Sequence, residues 1–262
     1  NMKKIKVMVT LLVISTLVIG GLGTAVMAED MTGEDILEKV DEEMDSKTRD
    51  FVLDMTIVNE NGQERDRKIT IKTKGENKGL VKFLEPGDVK DTALLTVEEN
   101  DQEDMWLYLP ALGNVKKIAS HNKNGNFMGT DFTYNDIDMV GGSNYEDDYD
   151  SELVGEEEIR GDICYKLSTT PTKESINYSE MKMWVRKDDY MPLKLEFYDE
   201  EGNLQKVMTN KNYRDIDNHL TPEEIVMENV QKGTKTILNL DDVKYNVELD
   251  DKIFTTRYLT RN

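Results

Sequence analysis

The sequence predicts a mainly β domain: one curved antiparallel sheet forming an unclosed half-barrel, with an N-terminal helix and a short helical lid over an apolar cavity. Three observations carry this. Short runs alternate apolar and polar residues with a period of two, turn signals recur between the runs, and only two stretches carry a helical period. Alternation gives each strand one apolar face, and strands joined by short turns pair antiparallel. With so few helices to cover that face, the sheet must curl over itself.

The first helix falls at residues 32–45. Thr32 caps it with Asp35 three positions on, Ile36, Leu37, Val40 and Met44 share one face, and Glu34, Glu38, Asp41, Glu42 and Glu43 share the other. Strand grammar follows. Phe51, Leu53, Met55 and Ile57 alternate with Asp54 and Thr56, Asn61-Gly62 supplies a hairpin turn, and Ile69, Ile71 and Thr73 continue the pattern. Further β-prone runs lie at 80–84, 92–97, 105–109, 116–119, 152–159, 164–169, 180–186, 193–198, 204–213, 225–229 and 234–243. Between them stand turn signals such as Pro86-Gly87-Asp88, Gly161-Asp162, Lys187-Asp188-Asp189, Glu201-Gly202-Asn203 and Lys232-Gly233. A second, short helix is expected near 133–140 with Thr133 as its cap, and Asp250, Asp251, Phe254 and Tyr258 read as a closing turn and tail.

The N-terminus sets the compartment. Lys3, Lys4 and Lys6 precede an apolar run at 7–19, Gly20, Gly21 and Gly23 break it, and Val26-Met27-Ala28 has the small-x-small form of a cleavage site. Residues 1–28 are therefore expected to be a cleaved signal peptide and 29–262 a single exported domain. No cysteine follows the apolar run, so the mature chain is expected to be soluble and not lipidated. Cys164, the one cysteine, sits between Ile163 and Tyr165 as a small buried hydrophobe.

The formal charge is −20, and the signal segment holds three of the 33 basic residues and none of the 53 acidic ones, so the remainder is more acidic still. Such a surface repels phosphate, which excludes nucleic acid as a partner. The densest acidic run, Tyr145-Glu146-Asp147-Asp148-Tyr149-Asp150, lacks the glycine turn and distal glutamate of a calcium loop and reads as a solvated loop.

Catalytic parts are scarce. His121 and His219 stand in polar loops without metal-ligand spacing, and no Gly-x-Ser-x-Gly elbow, P-loop or His-Glu-x-x-His occurs. Neither a catalytic residue, a metal nor a cofactor is expected, although abundant carboxylates leave a hydrolase with an unrecognised acid pair as an alternative. Of the 14 methionines, Met55, Met105, Met181, Met183, Met208 and Met227 fall at inward strand positions. They serve either as core filler or as an adaptable wall for acyl chains.

Four stretches carry a family resemblance: KFLEPGDVKDTALLTVE (82–98), DMWLYLPALGNVKKI (104–118), FMGTDFTYNDI (127–137) and MKMWVRKDDYMPLKLEFYDEEGNLQKV (181–207). In order and spacing they resemble the LolA-like outer-membrane lipoprotein-sorting proteins of bacteria, over most of residues 32–259. The resemblance implies a carrier in the periplasm without covalent chemistry; the chain is expected to be a monomer, periplasmic or otherwise extracytoplasmic. Its cargo would be lipoprotein acyl chains or a phospholipid-like lipid, its partners an inner-membrane transporter and an outer-membrane acceptor. A non-transporting sensor or accessory module on the same fold is the alternative. On this reading Phe127, Met128, Phe132 and Tyr134 line a cavity lip or plug one end as core, and Met55, Phe83, Trp106, Tyr108, Met183, Trp184 and Phe197 form walls. Arg65 and Arg67, in the first hairpin, are the candidates for a lid arginine.

Overall fold

The computed structural model describes residues 31–100, 102–142 and 145–261. The expected signal peptide lies outside them. Helix α1 (Gly33–Met44) opens the described chain, with the capping box the sequence implies: the Thr32 hydroxyl accepts from the Asp35 N–H at 3.1 Å and the Asp35 carboxylate accepts from the Thr32 N–H at 2.7 Å. Six strands follow: β1 (Thr48–Val58), β2 (Glu64–Lys74), β3 (Lys78–Glu85), β4 (Ala93–Glu99), β5 (Gln102–Leu109) and β6 (Asn114–Ile118). Helices α2 (Tyr134–Gly142) and α3 (Tyr145–Asp148) come next. The chain then returns through β7 (Tyr149–Ile159), β8 (Asp162–Pro171), β9 (Glu180–Arg186), β10 (Pro192–Tyr198), β11 (Leu204–Ile216), β12 (His219–Asn229) and β13 (Thr234–Tyr245), and ends in α4 (Thr256–Leu259).

All these strands form one antiparallel sheet in the order β6-β5-β4-β3-β2-β1-β13-β12-β11-β10-β9-β8-β7. Every neighbour is a sequence neighbour except at the centre, where β1 meets β13, Phe51 opposite Val243 and Met55 opposite Leu238. The arrangement has a topological consequence. β6 and β7 are consecutive strands yet occupy opposite edges, so the segment joining them, residues 119–148, has to cross the open side of the sheet.

Alternation sorts the side chains by face. Phe51, Leu53, Met55, Ile69, Ile71, Met181, Met183, Met227 and Leu238 join Ile36, Leu37 and Val40 of α1 in the main core on the concave face. The outer face carries two smaller clusters. In one, the C-terminal tail lays Phe254 and Leu259 over Leu80, Ala93, Leu95 and Tyr108. The other gathers Cys164, Trp184 and Leu193.

Gly33 sets how closely α1 approaches the sheet: a Cβ there would lie 2.6 Å from the Ser151 carbonyl carbon and oxygen and 2.7 Å from the Glu152 nitrogen. Only a residue without a side chain lets the first turn touch the β7 backbone.

Two expectations are corrected. The acidic run 145–150 is no solvated loop: α3 leads straight into β7, and Tyr145 and Tyr149 are buried in the main core. The alternation of aromatic and acidic residues hid an apolar anchor among charges. β12 starts at His219 and not near 225, and Pro222 lies inside it. Pairing with β13 begins only at Glu224, so Pro222 stands on a stretch that has a neighbour on one side, where a missing N–H costs no ladder bond.

Candidate ligand-binding cavity

The crossing segment does two different things at the two ends of the concave face. Its first half, 127–136, is a plug. Phe127 and Phe132 are fully buried, Phe127 packing on Phe83 with ring centroids 5.6 Å apart. Met128 and Gly129 have φ of +47° and +76°, a left-handed pair that turns the chain sharply between the two rings. Arg67 of β2 donates to the Met128 carbonyl at 2.7 Å and lies over the Phe83 ring, 5.3 Å from its centroid.

Two buried carboxylates fasten the plug to the sheet. Asp131 accepts from the Thr236 hydroxyl at 2.9 Å and from the Thr234 hydroxyl, both on β13. Asp136 accepts from the Thr133 N–H at 2.8 Å, the Tyr178 hydroxyl at 3.0 Å and the Lys206 ammonium of β11 at 2.9 Å. Asp136 and Lys206 are 1% and 4% exposed at their side chains. Thr133 returns the cap by accepting from the Asp136 N–H at 3.0 Å, as its place before the helix implied. Burial, followed by the charge of Asp136, pushes the Tyr178 hydroxyl well above its ordinary pKa.

The second half, α2 and α3, descends along the concave face toward the end where β1 begins and β13 ends. There an apolar cavity of about 80 Å³ separates helices from sheet. Phe51, Leu53, Met208, Ile225 and Leu240 form the sheet wall, and Met44 of α1 with Met139 and Val140 of α2 form the helical wall. Polar groups gather at its rim. His219 stacks on Tyr245 with centroids 4.2 Å apart, and the hydroxyls of Tyr245 and Thr221 are 2.7 Å apart. Arg49 lines the same rim and donates to the Met44 carbonyl at the end of α1.

Asp41 ties α1 to α3. From α1 it accepts the N–H groups of Tyr145 at 3.0 Å and Glu146 at 2.8 Å, capping α3. Burial is the largest influence on its carboxyl and pushes it up to about 7, with those two N–H groups opposing.

The structure distributes the residues singled out in the sequence over three places. Met55, Phe83, Phe127, Phe132, Met183 and Phe197 meet in the main core, with Met128 and Tyr134 half-buried at its margin. Trp106 and Tyr108 lie on the outer face with the C-terminal tail, and Trp184 lies on the outer face beside Cys164. None of them borders the cavity. Sequence reasoning marked Met208 as inward-facing and found the alternation of Phe51 and Leu53, but missed the early start of β12 and the two-residue extension of α2 that complete the walls. Of the two candidate arginines, Arg67 reaches the plug. Among the described residues no group of three or more His, Cys, Asp or Glu is placed to hold a metal ion.

An unclosed antiparallel sheet whose edge-to-edge connection crosses its own concave face, leaving a helix-lidded apolar cavity, defines a LolA-type half-barrel. Comparison with known proteins agrees. A family model that carries the description uncharacterized protein matches residues 75–261. A structure described as an outer-membrane lipoprotein-sorting protein domain from Vibrio parahaemolyticus is 32% identical, with a TM-score of 0.81, covering 87% of this chain and 98% of that one. A DUF1329 family protein from Desulfovibrio piger is 30% identical, with a TM-score of 0.81, over 87% and 97% of the two chains. A LolA superfamily protein from Nitrosomonas europaea is 25% identical, with a TM-score of 0.73, over 87% and 99%. The chain belongs to the LolA-like outer-membrane lipoprotein-sorting family. None of the curated proteins compared with it matches.

Proposed function

We propose that the protein is an exported, non-enzymatic carrier that holds the acyl chains of a lipid or lipoprotein between α1, α2 and the concave sheet face, and shuttles them toward the outer membrane. The single observation that carries the reading is the position of the cavity. It lies where the helices meet the sheet, opposite the end that Asp131 and Asp136 fasten.

An acyl chain gains about 0.8 kcal/mol for each methylene removed from water, so ten methylenes supply about 8 kcal/mol. That corresponds to a dissociation constant near one micromolar, tight enough to hold and weak enough to release without chemistry. The free space of about 80 Å³ is below the ~150 Å³ of an engineered apolar cavity that takes up benzene, so a chain enters by displacing the wall. Met44, Met139, Met191 and Met208 suit that, because an unbranched thioether with three rotatable bonds refills whatever shape the chain leaves.

Native mass spectrometry with organic extraction, on residues 29–262 isolated from a bacterial envelope, tests the reading. Acyl lipid should co-purify and should be lost from a folded Leu53→Trp variant, whose ring occupies the cavity. A lipid-free protein that also refuses an added diacyl lipopeptide would overturn it.

A further inference from the structure

We infer that a polar crevice beside the plug binds a neutral saccharide, whose hydroxyl groups are read by carboxamide side chains. The inference is separate from the carrier reading and concerns the other end of the sheet.

An open crevice of about 440 Å³ lies where the plug meets the turns of the second half of the sheet. The crossing segment contributes Asn124 and Asn126 to it, the β8–β9 connection Asn177, the start of β11 Gln205, and the end of β12 Asn229. A space of that size falls within the ~300–1,000 Å³ of small-ligand sites. Carboxamides from four separate segments therefore border one space.

Side-chain hydrogen bonds hold the rim without consuming the lining. Asn124 donates to the Ser175 carbonyl at 2.8 Å and accepts from the Asn177 N–H at 3.2 Å, tying the plug to the β8–β9 connection. Gln231 donates to the Asp199 carboxylate at 2.8 Å and to the Leu204 carbonyl at 3.2 Å, tying the β12–β13 turn to the β10–β11 turn. What is left unspent points to a ligand. Asn229 is 2% exposed, and its Oδ1 accepts from the Lys232 N–H at 3.0 Å, while its Nδ2 has no partner among the described residues. A nearly buried donor of this kind is satisfied only from the crevice it borders. Lys206, 3% exposed, also borders the crevice and gives one of its three ammonium hydrogens to Asp136. The side-chain amides of Asn177 and Gln205 have no partner among the described residues either.

The mixture of groups defines the ligand. Asp199, Glu200 and Glu201 border the crevice together with Lys206 and Lys232, so an anion and a cation each meet charges of their own sign. A hydroxyl meets no such conflict, because it donates to carboxylates and amide oxygens and accepts from amide nitrogens and ammonium groups. A saccharide ring presents several hydroxyls at fixed spacing, and walls already tied in place lose little freedom on meeting them. A peptide also donates and accepts, but it is recognised along a free strand edge with apolar pockets for its side chains. The free edges, β6 and β7, lie elsewhere, and the crevice lining among the described residues holds the Tyr178 ring and no aliphatic residue.

Calorimetry tests this, with triacetylchitotriose and maltotriose as neutral probes and the trimers of glucosamine and galacturonic acid as charged ones. At least one neutral trimer should bind, and both charged trimers should bind about tenfold more weakly or worse. Replacing Asn177 and Gln205 together with alanine should weaken the neutral trimer by about tenfold or more while leaving the melting temperature unaltered. Glu200→Trp, on the exposed turn, serves as a second variant should that one not fold: its ring fills the crevice and should abolish binding. Preference for the acetylated trimer would identify an N-acetylated glycan, and the reverse a plain hexose glycan. Failure of both neutral trimers to bind, a charged trimer binding as tightly as a neutral one, or binding unchanged in the folded variants would overturn the inference. None of these outcomes touches the carrier reading, whose readout is acyl lipid.

Discussion

Replacing Lys206 with methionine isolates the fastening of the plug. The substitution keeps an unbranched stem of similar length and removes only the ammonium, so the packing of β11 is preserved. What remains is the Asp136 carboxylate, 1% exposed, with the Thr133 N–H at 2.8 Å and the Tyr178 hydroxyl at 3.0 Å as its donors. Two neutral donors do not balance a charge in that setting, and removing one partner of a buried ion pair typically costs about 3–5 kcal/mol. For a domain of this size about 1 kcal/mol lowers the melting temperature by roughly 2–4 °C, so a fall of roughly 6–20 °C is expected. Urea unfolding of the protein, Lys206→Met, Asp136→Asn and the double variant forms the assay. The double variant should lose much less than the sum of the singles, because Asp136→Asn removes the charge that Lys206→Met strands. A Lys206→Met protein within 1 kcal/mol of the original would refute the reasoning, since it would mean that Tyr178 and Thr133 satisfy Asp136 by themselves.

Three further outcomes are expected. Gly33→Ala, which in an open helix would stabilise by up to about 1 kcal/mol, should instead destabilise by about 1–3 kcal/mol because the new Cβ meets the β7 backbone; equal or higher stability in urea would contradict the close approach. Asp41 has a folded-state pKa raised to about 7 from 3.8, so between those values the folded state binds the extra proton. Stability should therefore rise as pH falls from about 8 toward 5, and the slope should flatten in Asp41→Asn; parallel curves for the two proteins would exclude Asp41 as the cause. The Cys164 thiol, fully buried and pushed up to about 11 chiefly by desolvation, should resist iodoacetamide at pH 8 until urea unfolds the chain, and rapid native labelling would show that the outer-face cluster opens.

The elements themselves were legible where a local rule acts alone. Thr32 and Asp35 announce α1, Asn61-Gly62 announces the β1–β2 turn, and Thr133 announces the start of α2, because caps and tight turns are written within a few residues. Alternation placed Met55, Met181, Met183 and Met227 on the inner face for the same reason: a period of two is a property of the strand. The same period, with Met105 and Met183 facing inward, turns Trp106, Tyr108 and Trp184 outward, so their expected place in the cavity wall is corrected, and the C-terminal tail and the outer-face cluster cover them instead.

What the chain's own order determined is that consecutive strands pair, and hence that the sheet is a meander. What only the tertiary structure decided is that β1 and β13 meet at the centre, which sends β6 and β7 to opposite edges and forces residues 119–148 across the concave face. That crossing turns FMGTDFTYNDI into a plug and not a lip, and leaves the cavity at the other end, beside Arg49 and Gly142. These two residues are far apart in sequence and unremarked by any local pattern. They become neighbours only because pairing between strands some two hundred residues apart folds the sheet around its own connection, and non-local pairing of that kind leaves no local signature to read.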